Sequence, residues 1–555
     1  MKDWHSWLEI FVLLSVLISL AIPLGTYIAK VYQGQVLWID KIVHPIEFTF
    51  YKISGINFLE QMTWKSYAQS VVSLGFVSFL LLYALLRLQY YLPLNPQHYL
   101  GVQPDLAFNM AISFLTNTNW QSYEGEKVLS YFSQMMGLSV QNFISAGTGM
   151  AVAVALVRGF SQSGGLSLGN FWVDLTRGVF YILLPLSIIM SILLISQGVI
   201  QNFNDYLTLP SIELSASPQV IPGGPVASQV SIKQLGSNGG GFFSANSAHP
   251  FENPTPFSNF LELLAILLIP VSFIVAYGRM VGQPRQSRAL LGLLFCIFMI
   301  GFLFCAYQEV NYEGKEYRHG ILNSVLWTVA STATSNGSSN ALIESFTPLT
   351  EMSALLFMLT GEVVFGGVGQ GLYSLILYIL ITVFVAGLMS GRMPEYLGKK
   401  IEVFEIKMSL LAILIPALSI LFFVSVAVQL SMAHQSSLTE WLYHFASTTS
   451  NNGSALSALS ALNANTSCLN TLFGLTMLLG RYGVIIPVLA ISGSLILKRK
   501  KKEESKVVQN RSVIETDSIV FMILVFGVIG IISLLSFFPA ILMGPIADYL
   551  SGVKN

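Results

Sequence analysis

Ten predominantly apolar stretches, each long enough to cross a bilayer, recur along this 555-residue chain, near positions 8–29, 66–86, 133–157, 175–197, 258–278, 289–307, 350–391, 408–431, 470–497 and 518–543. A hydrocarbon core of about 30 Å needs roughly 20 apolar residues at a helical rise of about 1.5 Å each. With water absent at that depth, every spanning backbone must satisfy its own hydrogen bonds, so runs of this length read as α-helices. Composition agrees: 53% of residues are hydrophobic and 10% charged, where soluble domains carry about 25% charged residues. The first stretch, Leu8 to Ile28, lacks the basic leader of a secretory signal and reads as a retained helix.

Ten spans place both chain ends on one side, and the basic residues say which. Loops facing the cytoplasm keep an excess of Lys and Arg. The odd-numbered connections hold twenty, among them Arg158, Arg177, Lys399 and the run Lys498 to Lys502, and the opposite side holds seven, including Arg87, Lys127, Lys233 and Arg318. Both termini are therefore expected outside the cytoplasm. The basic run serves as a topology anchor and is suited to attract anionic lipid. Formal net charge is zero, which gives no basic surface for nucleic acid.

Between spans, on the outer side, a second regularity appears four times: a half-length apolar segment ending in a Ser/Thr-Asn-Gly cluster. Leu106 to Leu115 precedes Thr116-Asn117-Thr118-Asn119, and Val226 to Leu235 precedes Gly236-Ser237-Asn238-Gly239. Ile321 to Ala333 precedes Thr334-Ser335-Asn336-Gly337, and Leu438 to Thr449 precedes Ser450-Asn451-Asn452-Gly453. One such cluster is ordinary turn chemistry. Four at the same place in successive helix, re-entrant loop, helix units, roughly 100 to 120 residues apart, mark an internal repeat.

This pattern suits a cation filter. A dehydrated potassium ion needs several oxygens at once, and filters supply backbone carbonyls from four loops around an axis. Gly and Asn tolerate the positive φ that turns carbonyls inward, and each half-helix aims the negative end of its dipole at the site. No Asp or Glu lies in the clusters, which favours a carbonyl site for a large monovalent ion over an acid-built divalent site. The candidate ligands are Asn117, Thr118, Asn119, Ser237, Asn238, Gly239, Ser335, Asn336, Gly337, Asn451, Asn452 and Gly453.

Competing chemistries find little support. Cys296, Cys305 and Cys468 lack metal-ligand spacing and read as packing residues. His249, with Pro250, Glu252 and Pro254, has no second His at ligand spacing and reads as a rigid loop entering the fifth span. An intramembrane hydrolase would need Ser454 to meet a base such as His434 or His444. Neither an Asp-Lys-Thr-Gly phosphorylation motif nor a Gly-x4-Gly-Lys-Ser/Thr loop occurs, so nucleotide chemistry is expected on another chain.

The sequence resembles, nearly end to end, the potassium-binding A subunit of the Kdp-type potassium-transporting ATPase, in the superfamily of potassium transporters. The resemblance rests on Tyr91-Leu-Pro-Leu-Asn-Pro96, Thr116-Asn-Thr-Asn-Trp-Gln-Ser-Tyr-Glu-Gly-Glu126, the Gly239 to Pro254 segment, Gly361-Glu-Val-Val-Phe-Gly-Gly-Val-Gly369, Pro394-Glu-Tyr-Leu-Gly-Lys-Lys400 and Asn451-Asn-Gly-Ser-Ala455. It implies a bacterial inner-membrane subunit, itself without ATP hydrolysis, that binds potassium and passes it to a separate catalytic P-type ATPase B subunit, alongside a C subunit and a small F subunit. It also places Gln121 at the outer mouth, in a region affecting apparent potassium affinity. The rival is a self-sufficient channel or ion-coupled potassium transporter with a regulatory ring.

Two features break the apolar pattern. The 42 residues from Thr350 to Gly391 would span about 63 Å as one helix. A break is expected between Gly361 and Tyr373, where Gly366, Gly367 and Gly369 cluster. Non-helical backbone at that depth lines a cavity or is buried in protein. Glu362 beside it reads as a pathway residue or a membrane-depth hydrogen-bond partner. Arg481 is the one basic residue assigned inside a span, and a fixed positive charge opposes straight-through cation flow. Together they suggest a sideways exit.

The expected architecture is an all-α polytopic membrane protein with ten transmembrane helices. Residues 1–65 carry an extra helix and a cytoplasmic loop, and 66–160, 161–284, 285–400 and 401–500 are four pore repeats in pseudo-fourfold arrangement. Residues 501–555 add the last helix.

Overall fold

The computed structural model describes residues 4–162, 164–165, 167–210, 218–310, 318–429, 437–456, 466–499 and 515–551. The end of the basic run, and His434, lie outside them. Among the described residues ten long apolar helices are present, and the rest of the fold follows from how four short ones sit between them.

In chain order the elements are α1 (Trp4–Tyr32), α2 (Asp40–Ser54), α3 (Trp64–Leu88), α4 (Pro104–Leu115), α5 (Ser133–Ser161) and α6 (Phe171–Ser196). Then come α7 (Val226–Leu235), α8 (Pro256–Val281), α9 (Pro284–Glu309), α10 (Ile321–Ala333), α11 (Pro348–Leu359) and α12 (Gln370–Met389). The last four are α13 (Val403–Gln429), α14 (Leu438–Thr449), α15 (Ser467–Leu497) and α16 (Ile519–Leu550). The half-helices α4, α7, α10 and α14 have 10 to 13 residues, or about 15 to 20 Å, half the hydrocarbon thickness.

Four units emerge: α3–α4–α5, α6–α7–α8, α9–α10–α12 and α13–α14–α15. Their second long helices form an inner ring. In α5, α8, α12 and α15 between 61% and 83% of the apolar window is buried, against 28% to 39% in α3, α6, α9 and α13. Outside this ring α1 packs along α8. There Gly25 makes the approach possible, because a Cβ would sit 2.5 Å from the Ser272 carbonyl. At the other end of the chain α16 packs on α12 and α9.

Local chemistry fixes the helix ends. Thr255 and Ser258 form a reciprocal capping box ahead of α8, with Pro256 at the first helical position. Thr63, Ser437 and Ser518 cap α3, α14 and α16 through backbone N–H groups of Ser66, Glu440 and Phe521.

Three expectations need correction. The connection after α1, read as loop, contains α2, whose Val43, Glu47 and Tyr51 lie on one buried stripe. Glu47 accepts hydrogen bonds from Tyr51, Tyr181 and Arg177, which tie α2 to α6. The break in the seventh stretch ends sooner than expected, since α12 starts at Gln370 and holds Gly371 and Tyr373. Of the cysteines only Cys305 is buried; Cys296 and Cys468 face outward.

Where the inner helices end, on the side remote from the half-helix entrances, Lys399 acts as a clamp. Its buried ammonium donates to the carbonyls of Gly159 (2.7 Å), Gln162 (2.5 Å) and Leu495 (2.5 Å). It thereby neutralises the negative ends of α5 and α15 together. Lys399→Met strands two buried acceptors, the carbonyls of Gly159 and Leu495, at about 1 to 3 kcal/mol each. The purified protein is expected to melt several degrees lower in a thermal unfolding scan, and an unchanged midpoint would contradict the clamp.

Candidate ion-binding site

Each half-helix ends in the same backbone device. The amide of Thr118, Asn238, Asn336 or Asn452 donates to the carbonyl five residues earlier, of Ser113, Lys233, Ser331 or Ser447, at 2.9 Å in all four cases. The residues on either side of that amide have positive φ. They are Asn117 and Asn119 (68° and 51°), Ser237 and Gly239 (46° and 65°), Ser335 and Gly337 (56° and 81°), and Asn451 and Gly453 (58° and 95°). Alternating left- and right-handed residues turn successive carbonyls the same way, at a cost that is least for Gly and Asn and that Ser237 and Ser335 bear in the second and third loops.

Side chains close these loops into a ring. Asn117 and Asn119 of the first donate to Ser237 O (2.9 Å) and Gly239 O (2.7 Å) of the second. Asn336 of the third donates to Lys233 O at 3.2 Å. Ser335 donates to Asn451 O of the fourth at 3.0 Å, and Asn452 returns a bond to Ser331 O at 3.0 Å. Asn451 then donates to Thr118 Oγ1 of the first at 2.9 Å. The order is 1–2–3–4–1, with repeats 1 and 3 opposite each other.

All twelve candidate ligands stand in this ring, and only Gly453 among them is even half-exposed. The glycines have no spare room. A Cβ on Gly239 would lie 1.7 Å from Asn336 O, on Gly337 2.0 Å from Asn452 O, and on Gly453 2.0 Å from Thr118 O. No carboxylate belongs to the four clusters; the C-terminal ends of four helices supply the negative potential instead.

Beneath the ring runs the broken segment between α11 and α12. Gly366 N donates to Ala333 O at 3.1 Å, while a Cβ on Gly367 would meet Ser335 and Thr334, and one on Gly369 would lie 2.4 Å from Gly149 O in α5. The segment therefore crosses from repeat 3 to repeat 1. Glu362 is buried, accepts a hydrogen bond from Ser335 through one oxygen, and has no hydrogen-bond partner on the other. Arg481 of repeat 4 donates to Ser145 O in repeat 1 (2.9 Å) and to the Gln370 amide oxygen in repeat 3. A side chain that bonds two opposite repeats crosses the middle of the underside.

A cavity of about 60 Å³ opens here, lined by Glu362, Gln370, Thr449 and Ser450 at the ring and by Ser533 and Ser536 of α16 at its far end. That is room for a few water-sized bodies. Arg481 is not among the residues that line it.

Just beyond the first cluster, Gln121 laces the first loop to the second. Its amide donates to Gly241 O (2.8 Å) and its oxygen accepts from Gly241 N (3.0 Å) and Asn246 (3.2 Å).

A family model described as the potassium-transporting ATPase A subunit matches residues 11–550. The chain belongs to this family. The potassium-transporting ATPase potassium-binding subunit of Sorangium cellulosum (strain So ce56) is 47% identical, with 97% of each chain covered. That of Rhodospirillum centenum (strain ATCC 51521 / SW) is 47% identical over 98% of this chain and 97% of its own. The crystal structure of the potassium transporter TrkH from Vibrio parahaemolyticus shares the fold, with a TM-score of 0.53 and 14% identity over 84% of this chain and 97% of that one.

Within this member of the potassium-transporting ATPase A subunit family, several residues around the ring escape a reading of the sequence. Asn142 accepts from Asn119 (2.9 Å) and Ser145 donates to Asn117 (2.8 Å), both from the inner helix α5. Lys233, counted above among outer-loop charges, is buried in α7 and paired with the equally buried Glu252. Glu252 is thus more than part of a rigid loop. Alignment of the four half-helices would have exposed this pair, because the other three carry serine at that position. The hydrolase alternative loses its serine: Ser454 is engaged by Asn452 (2.6 Å) and Tyr443 (2.9 Å), and His444 sits instead among Trp120, Trp441 and Phe473.

Proposed function

We propose that this chain is the potassium-binding subunit of an ATP-driven uptake complex, and that the ring formed by residues 117–119, 237–239, 335–337 and 451–453 is its ion filter. The closed 1–2–3–4–1 order of the loops carries this reading, since converging carbonyls without fixed acids suit a dehydrated monovalent cation. Potassium enters past Gln121, stops below the ring, and turns sideways through the Glu362–Gln370 cavity toward the α16 side, because Arg481 and residues 361–369 occupy the direct route.

The family name carries the word subunit, and the chain is assigned a separate catalytic B subunit with C and small F subunits as partners. It resides in a bacterial inner membrane with both termini outside, and anionic lipid gathers at the basic run. Purification through this chain is expected to recover an ATP-hydrolysing membrane subunit whose activity rises with potassium. ATP-independent potassium flux through the chain alone would establish the channel or ion-coupled alternative and refute this one.

A further inference from the structure

The second loop is braced differently from its three counterparts. Serine occupies the equivalent half-helix position in the others, and its hydroxyl steadies the strand that leaves the ring. Ser113 Oγ accepts from Trp120 N (2.6 Å), Ser331 Oγ donates to Ser338 O (2.6 Å) and Ser447 Oγ accepts from Gly453 N (3.1 Å). In the second repeat that position is Lys233.

Its ammonium, 1% exposed, donates to Glu252 Oε2, and the carboxylate is fully buried. The other oxygen, Oε1, accepts from Phe243 N at 2.9 Å and lies 2.7 Å from where a Gly241 Cβ would stand. Helix, ammonium, carboxylate and outgoing strand thus form a relay doing what one hydroxyl does elsewhere. The strand it supports, Gly239-Gly240-Gly241, has no side chains of its own to pack. Lys233 is also joined to the ring directly, its carbonyl accepting from Asn238 N and from the Asn336 side chain.

We propose that Lys233 and Glu252 work as a single positioning pair that sets the carbonyl geometry of the second loop, and through it the affinity and selectivity for potassium. The proposal rests on the filter reading above. Charge balance makes the partners interdependent, since removing either one leaves the other buried and uncompensated.

The test is potassium-stimulated ATP hydrolysis by the complex purified through this chain. Lys233→Ser is expected to raise half-saturating potassium at least tenfold and to weaken discrimination against sodium by a similar factor, with the maximal rate within twofold. Lys233→Arg, which keeps the pair, is expected to stay within threefold of wild type. Combining Lys233→Ser with Glu252→Gln gives the second repeat the serine of the other three and is expected to recover most of the loss.

Unchanged half-saturation in Lys233→Ser, or a double variant no better than the single, overturns the pair. Should Lys233→Ser yield no assembled complex, Glu252→Asp decides, with a threefold rise expected and an unchanged value fatal. Gly239→Ala in the same assay separates the two levels. If it is silent, the filter reading itself falls; if it responds while Lys233→Ser does not, only the pair is lost.

Discussion

Gly239→Ala is expected to raise half-saturating potassium about 100-fold, which corresponds to about 2.8 kcal/mol at 1.4 kcal/mol per decade. Two effects contribute. A left-handed L-residue costs roughly 1 to 2 kcal/mol of backbone strain, and the new Cβ, 1.7 Å from Asn336 O, must drive that carbonyl out of its place in the ring. Ligand displacements near 1 Å cost about 100-fold in positioned chemistry. Gly391→Ala carries the first effect without the second, because Gly391 has φ of 64°, beside 65° for Gly239, yet nothing lies within 4 Å of its would-be Cβ. Half-saturation is expected to be unchanged there. Equal losses in both variants would mean that strain, not intrusion, is being measured.

Arg481→Ala is expected to open a leak. The guanidinium spans the underside from Ser145 to Gln370, and a fixed positive charge in a pore of low dielectric raises the barrier to a passing cation. Rubidium efflux from proteoliposomes without ATP is expected to rise at least tenfold, while potassium moved per ATP falls. Arg481→Lys, which keeps the charge but loses the fork, is expected to leak far less. If Arg481→Ala stays tight and coupled, the side chain serves packing and hydrogen bonding alone, and the barrier must be sought in residues 361–369.

The half-helices were the most legible part of this protein. Their bounds at Val226–Leu235, Ile321–Ala333 and Leu438–Thr449 follow directly from where apolar residues give way to Ser, Asn and Gly. The start of α4 at Pro104 lay two residues earlier than apolarity indicated, although proline at a first helical position is itself a signal. The break near Gly361 was forced by length. Its end was not, because Gly371 and Tyr373 are compatible with either state and only packing against Phe365 decides.

Charges were harder. Lys233 looked like a surface residue because its counter-ion Glu252 lies 19 positions on, in what reads as a loop. The helix α2 was hidden by a mixed composition containing Pro45, and its anchors Arg177 and Tyr181 belong to another span. Neither local propensity nor periodicity carries such distant pairings. The cyclic order of the loops is of the same kind: four similar clusters predict a ring without saying that repeats 1 and 3 face each other.

Because the four quarters of the ring sit on one polypeptide, they are free to differ. Among the described residues only the third has an interrupted second helix, and the cavity lined by Glu362 lies beside it, against the fourth. A tetramer of identical chains would have to repeat such a cavity on every wall. One polypeptide thus lets a single wall carry a feature that the other three lack.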